Sequence, residues 1–118
     1  MNFDEAIKAH SDWKVKLRSY INGNNTSKDY DLNVVSADHL CTLGKWIYGD
    51  GKKYEKSPNY EPLRLAHAKL HKLTADILRE TPHGSKDFKR IEPGSEYAEL
   101  SLDVVSKIRK IRKEITGA

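Results

Sequence analysis

Three stretches of this chain place apolar residues every third or fourth position, and in two of them histidines occupy places that the pattern reserves for buried side chains. In residues 3–21 the stripe is Phe3, Ile7, His10, Leu17 and Ile21, flanked by Ala6, Trp13 and Tyr20. In residues 60–79 it is Leu63, His67, Leu70, His71, Thr74, Ile77 and Leu78. The last stretch carries Tyr97, Leu100, Val104, Ile108, Ile111 and Ile115. Each reads as an amphipathic helix, and an amphipathic helix must bury its stripe against other elements. Whatever fold results has to accommodate imidazoles in its interior.

Stop signals separate the helices. Asn22-Gly23-Asn24-Asn25-Thr26-Ser27 ends the first, and Pro62 suits the opening turn of the third. Thr81-Pro82-His83-Gly84 closes that helix, Lys86 to Ile91 suits a helical turn, and Pro93-Gly94-Ser95 introduces the last helix. Between the first and third, a shorter helix is expected from about Ser36, an N-cap residue type, with Asp38 in its first turn. It carries Leu40, Leu43, Trp46 and Ile47 and ends around Gly49-Asp50-Gly51, with Lys52 to Asn59 as a polar loop. Gly44 within it costs about 1 kcal/mol relative to alanine, a cost that close approach of another backbone would justify. The expected architecture is all-α: an antiparallel four-helix bundle in one domain, residues 1–118, with the short irregular helix carrying the only cysteine, Cys41.

Composition narrows the function classes. The 118 residues suffice for a core without disulfides, and one cysteine excludes an internal disulfide. No apolar run reaches membrane-spanning length, and Met-Asn-Phe-Asp-Glu has neither part of a signal peptide, so a cytoplasmic protein without membrane contact is expected. The formal charge of +4 is concentrated. Residues 107–113 hold five basic side chains and no acid, leaving 16 basic against 17 acidic residues elsewhere. Those cations complement a helix C-terminus, and no aromatic residue lies among them to stack on bases, so nucleic acid is not an expected partner.

Four residues carry possible metal chemistry: His10, Cys41, His67 and His71. His67 and His71 stand one helical turn apart on one face. With His10 and Cys41 they supply three imidazole nitrogens and one sulfur, a complete tetrahedral set for Zn2+. Taken singly, each has a plainer reading: partly buried histidines bonded to backbone or water, and a small buried thiol. Taken together, they lie on the inward faces of three helices, where imidazoles without partners are costly and a zinc ion would satisfy one nitrogen of each. Such a site has no open position, and Ala68 stands where a zinc protease places its glutamate, so an enzyme is not expected. His39 should face another side of its helix, and His83 sits in a turn.

The order His-x-x-Trp (His10, Trp13), Cys-x-Leu-Gly-Lys-Trp (Cys41 to Trp46, with Gly49 behind) and His-x-x-x-His (His67, His71) resembles the chemoreceptor zinc-binding, or CZB, domain. The resemblance runs from His10 through the last helix, and the cysteine stretch is its most specific part. It implies a four-helix bundle, often a homodimer, that binds one zinc through three histidines and a cysteine. Such domains regulate cytoplasmic chemoreceptors and diguanylate cyclases or occur as short proteins. Carried over, the ligands are His10, Cys41, His67 and His71, with Trp13, Gly44 and Trp46 packing around them. Leu70 departs from the aromatic or methionine often found before the second histidine of the pair, and no signalling or cyclase domain accompanies the motif. The implied function is sensing of zinc, or of an oxidant such as hypochlorous acid, through the Cys41 thiolate in chemotaxis or cyclic-di-GMP signalling. The rival is a constitutive zinc-stabilised interaction module that senses nothing. Zinc affinity and thiol reactivity separate the two.

Overall fold

In the computed structural model the described residues are 2–23 and 41–117. They form four α-helices: α1 (Phe3–Ile21), α2 (Thr42–Tyr48), α3 (Tyr60–Glu80) and α4 (Glu96–Thr116). Two single 3-10 turns, Asp50–Tyr54 and Lys89–Ile91, lie in the connections, and no strand occurs among the described residues. The expected all-α architecture is the observed one.

The helices start and stop where local chemistry directs. Asn2 caps α1, its side-chain oxygen accepting from the backbone N–H of Asp4 at 2.9 Å and Glu5 at 3.2 Å. Ser95 does the same for α4 through Ala98 N–H. Gly117, at φ 74°, ends α4 in the left-handed conformation that glycine adopts without steric cost. The end of α1 is met by another part of the chain. Lys86 N–H donates to the Ile21 carbonyl at 3.0 Å, and a Cβ on Gly23 would stand 3.2 Å from the Gly84 Cα. Gly23 also sits at φ +92°. Both facts require glycine there.

Contacts between helix ends fix the directions. Arg112, near the end of α4, pairs with Asp4 at the start of α1 at 2.5 Å. Glu114 accepts from Asn59 Nδ2 at 2.9 Å, and from the Ser57 hydroxyl, just before α3. So α4 runs against both α1 and α3. Cys41, at the head of α2, lies beside His67 in mid-α3, while Trp46 packs edge-on against Phe3 at 5.4 Å. Thus α2 descends toward the start of α1, and the four helices alternate in direction.

α3 is the central helix, buried on more of its circumference than its sequence stripe indicates. Ala66, Leu73 and Ala75 are buried alongside the expected Leu63, Leu70, Ile77 and Leu78. Leu17, Ile21, Leu43, Ile47, Ile91, Tyr97, Val104, Ile108 and Ile111 complete the core around it.

Two expectations about the α2 region need correction. Cys41 has extended backbone (φ −79°, ψ 164°), so the helix begins at Thr42 and Cys41 is its cap, not an interior residue. Ser36, Asp38 and His39 lie outside the described residues. The polar loop expected from Lys52 in fact opens with the 3-10 turn Asp50–Tyr54, in which Tyr54 stacks on Trp46 with ring centroids 6.2 Å apart. Gly51 permits this turn, since a Cβ there would come within 2.9 Å of the Trp46 ring.

The Tyr97 hydroxyl is buried and has no hydrogen-bond partner among the described residues. Burial pushes its titration well above the usual phenol range. An unpartnered buried hydroxyl costs about 1–3 kcal/mol. Tyr97→Phe is therefore expected to leave stability unchanged or raise it by about 1 kcal/mol, read as the urea midpoint at constant slope.

Candidate metal centre

His10, Cys41, His67 and His71 converge. One potential ligand atom from each lies within 4.8 Å of the corresponding atoms of the others. Three helices bring them together: His10 from the inward stripe of α1, Cys41 from the cap of α2, and His67 and His71 from one face of α3. His10, His67 and His71 are all buried, with 3% or less of their surface exposed, while Cys41 is partly exposed.

The donor atoms point at a common place. His67 Nε2 lies 3.0 Å from His71 Nε2 and 3.1 Å from Cys41 Sγ. Two nitrogen lone pairs and a sulfur facing one another at this range repel unless a proton or a cation lies among them. Tetrahedral zinc, with bonds of about 2.0–2.3 Å, separates its ligand atoms by about 3.3–3.6 Å, close to the spacing seen. His10 Nδ1–H donates to the Ala6 carbonyl at 2.9 Å, which leaves Nε2 as the available nitrogen. That Nε2 is buried and has no hydrogen-bond partner among the described residues. A metal with nitrogen and sulfur preference fits this donor set, and the Ala6 carbonyl is the kind of second partner that orients a histidine ligand.

Two neighbours shape the site. Gly44 N–H donates to Cys41 Sγ at 3.3 Å, so the first turn of α2 is built on the sulfur. Trp13 is half-buried over the histidine side, its ring 4.5 Å from that of His71 and 6.0 Å from that of His10. The family resemblance implies Trp13 and Gly44 as packing residues of the site, and both touch it. Trp46, expected there too, packs between Phe3 and Tyr54 near the start of α1. The Ala6 carbonyl is a partner that no motif in the sequence marks. It stands one turn before His10, but only the ring orientation reveals that it is used. His83 packs on Tyr20, with ring centroids 4.9 Å apart, and is not part of the group.

The family described as Chemoreceptor zinc-binding domain matches residues 10–78, more than half of the chain and all four converging residues. The chain belongs to this family. No curated protein and no solved structure matches the chain. Zinc is the cofactor of a chemoreceptor zinc-binding domain, and the group of three histidines and one cysteine fits it. Among the described residues, no helix is long and apolar enough to cross a membrane.

Burial favours the neutral form of His10 and His67 when no metal is bound. Burial lowers the His10 pKa against the opposing bond to Ala6. His67 is pushed down to about 2, first by burial and then by His71 and His10. In the unfolded chain a histidine titrates near 6.5. Between those values the unfolded chain binds a proton that folded His67 refuses. The metal-free protein should therefore be fully stable above about pH 6.5 and lose about 1.4 kcal/mol per pH unit below it for His67 alone. Denaturation of chelator-treated protein between pH 7.5 and 5 should show that slope, and His67→Gln should flatten it.

Proposed function

We propose that His10, Cys41, His67 and His71 together bind one zinc ion, and that the chain works as a cytoplasmic regulatory module reporting zinc or oxidant to a signalling partner. The observation that carries the sensing part is the unequal burial of the four donors. Three are sealed in the core, and only Cys41 reaches the surface. A purely structural site gains nothing from leaving its most reactive ligand partly open.

Bound zinc would supply charge compensation that stabilises the thiolate and a link between the three helices that carry the donors. The residues do the rest. The Ala6 carbonyl fixes the His10 ring, the Gly44 N–H fixes the sulfur at the head of α2, and Trp13 keeps water from the histidine side. Hypochlorous acid is an oxidant suited to the exposed edge. The Cys41 thiolate takes up OH from it, forming the sulfenic acid and releasing chloride, so sulfur is oxidised and chlorine reduced. A sulfenic acid is the poorer donor. The short α2, held at one end by that sulfur and at the other by Trp46 and Ile47, is then the element whose anchorage changes. The carrier of the output is a chemoreceptor- or diguanylate-cyclase-type partner, and the module acts as a homodimer.

The test is zinc per chain in protein purified without chelator, beside Cys41→Ala. One zinc per chain is expected, with affinity weakened by a hundredfold or more in the variant. Stoichiometric hypochlorous acid should release the zinc, and a thiol reductant should restore binding. Zinc retained after full oxidation of Cys41 would replace the sensor reading with a constitutive zinc-stabilised module.

A further inference from the structure

The described surface exposes three large hydrophobic side chains, and two of them belong to neighbouring helices. Val15 on α1 is 67% exposed and Leu102 on α4 is 69% exposed. Between α1 and α4 runs a groove of about 290 Å3. Its walls include Ser11 and Lys14 from α1 and Ala98, Glu99, Ser101 and Leu102 from α4. Helical spacing puts Val15 on the face of Ser11 and Lys14, and Leu102 on the face of Ala98 and Ser101. The groove floor is thus made of small side chains, with a leucine standing at its rim. Neither Lys14 nor Glu99 has an ion-pair partner among the described residues, although other cations on the same helices do, such as Lys8 with Asp12 and Lys107 with Asp103.

We propose that this α1–α4 face is where a second copy of the chain docks, Leu102 of each copy seating in the small-residue groove of the other. The proposal rests on the homodimer reading above and names its surface. A two-fold axis through the groove makes the patch complementary to itself. The knob of one copy meets the hole of the other, and Lys14 of one copy meets Glu99 of its partner. A groove holding one unmatched cation and one unmatched anion suits such a pairing better than it suits a uniformly acidic or basic partner. The apolar contact supplies affinity and the two crossed ion pairs fix the register. Ser11 and Lys14 directly follow His10 and Trp13 in the chain, so the face stands at the same height along α1 as the donor group.

Sedimentation equilibrium of the zinc-loaded chain tests this directly. The unaltered protein is expected to dimerise, and Leu102→Asp to weaken association at least tenfold. Lys14→Glu and Glu99→Lys should each weaken it severalfold. The double variant, Lys14→Glu with Glu99→Lys, should recover most of the loss, because the swap restores both crossed pairs. Zinc content and helical circular dichroism should stay unchanged in every variant, which separates this surface from the metal site. A monomeric unaltered protein would overturn the dimer itself. A dimer indifferent to Leu102→Asp, or a double variant no better than the singles, would overturn the face while leaving the dimer in place.

Discussion

Everything in this bundle depends on how three buried imidazoles and one partly exposed thiol are gathered at mid-height. Three imidazoles withdrawn from water, two of them with a ring nitrogen that has no partner among the described residues, are a standing cost. His10 escapes half of it through the Ala6 carbonyl, yet its other nitrogen has no partner among the described residues, and neither has His67 Nδ1. An apolar layer of the same volume would pack without that cost. The sequence instead keeps histidines in stripe positions on two helices and directs a cysteine toward them from a third element. Such an arrangement makes sense when a cation completes it, and zinc, borderline in softness and content with nitrogen and sulfur, matches the set.

The same constraint explains why α2 is short and tightly bounded. Its first turn hangs on the Cys41 sulfur through Gly44 N–H, a role that serine or aspartate oxygen usually fills. Its far end is held by the Tyr60 hydroxyl, which donates to the Ile47 carbonyl, and by Trp46 between Phe3 and Tyr54. The glycines that follow allow the chain to fold back on the indole at once. One anchor of α2 is thus chemical and alterable, whereas the other is ordinary packing. A change in what the sulfur binds reaches the rest of the molecule through a seven-residue helix.

Much of this was legible in the sequence because the period of 3.6 residues exposes helix faces directly. The three long helices lie within a residue or two of their expected limits, and the three histidine donors come from the inward positions the stripe assigns them. Cys41 is where the reading failed in detail. A cysteine two residues before Leu43 looks like part of the helix that Leu43, Trp46 and Ile47 define, and nothing local reveals that its backbone is extended. Its position is set by a long-range contact with His67, twenty-six residues away. Trp46 misled for a related reason. The family resemblance implied that it packs around the four donors, but along α2 the five-residue step from Cys41 carries it about one and a half turns toward the start of α1. The wide burial of α3 was equally hidden, because Ala66 and Ala75 are small enough to sit inside or outside without disturbing a stripe.

The basic end of α4 illustrates how a strong compositional signal can be structural. Arg112 reaches across to Asp4 and Lys107 pairs with Asp103 on its own helix, so two of the five cations in residues 107–113 have local partners. Ile108 and Ile111, on the other side of the same turns, are fully buried. The stretch therefore secures α4 against α1 on one face and keeps it solvated on the other. Arg112 with Asp4, and Glu114 with Ser57 and Asn59, all join the end of α4 to the starts of α1 and α3. The polar contacts that set helix direction are thus gathered at one end of the bundle and the metal-type donors at its middle. With direction fixed at the end, the middle layer is free to be specialised: its donors need only be brought to the right distance, because the helices carrying them are already aligned.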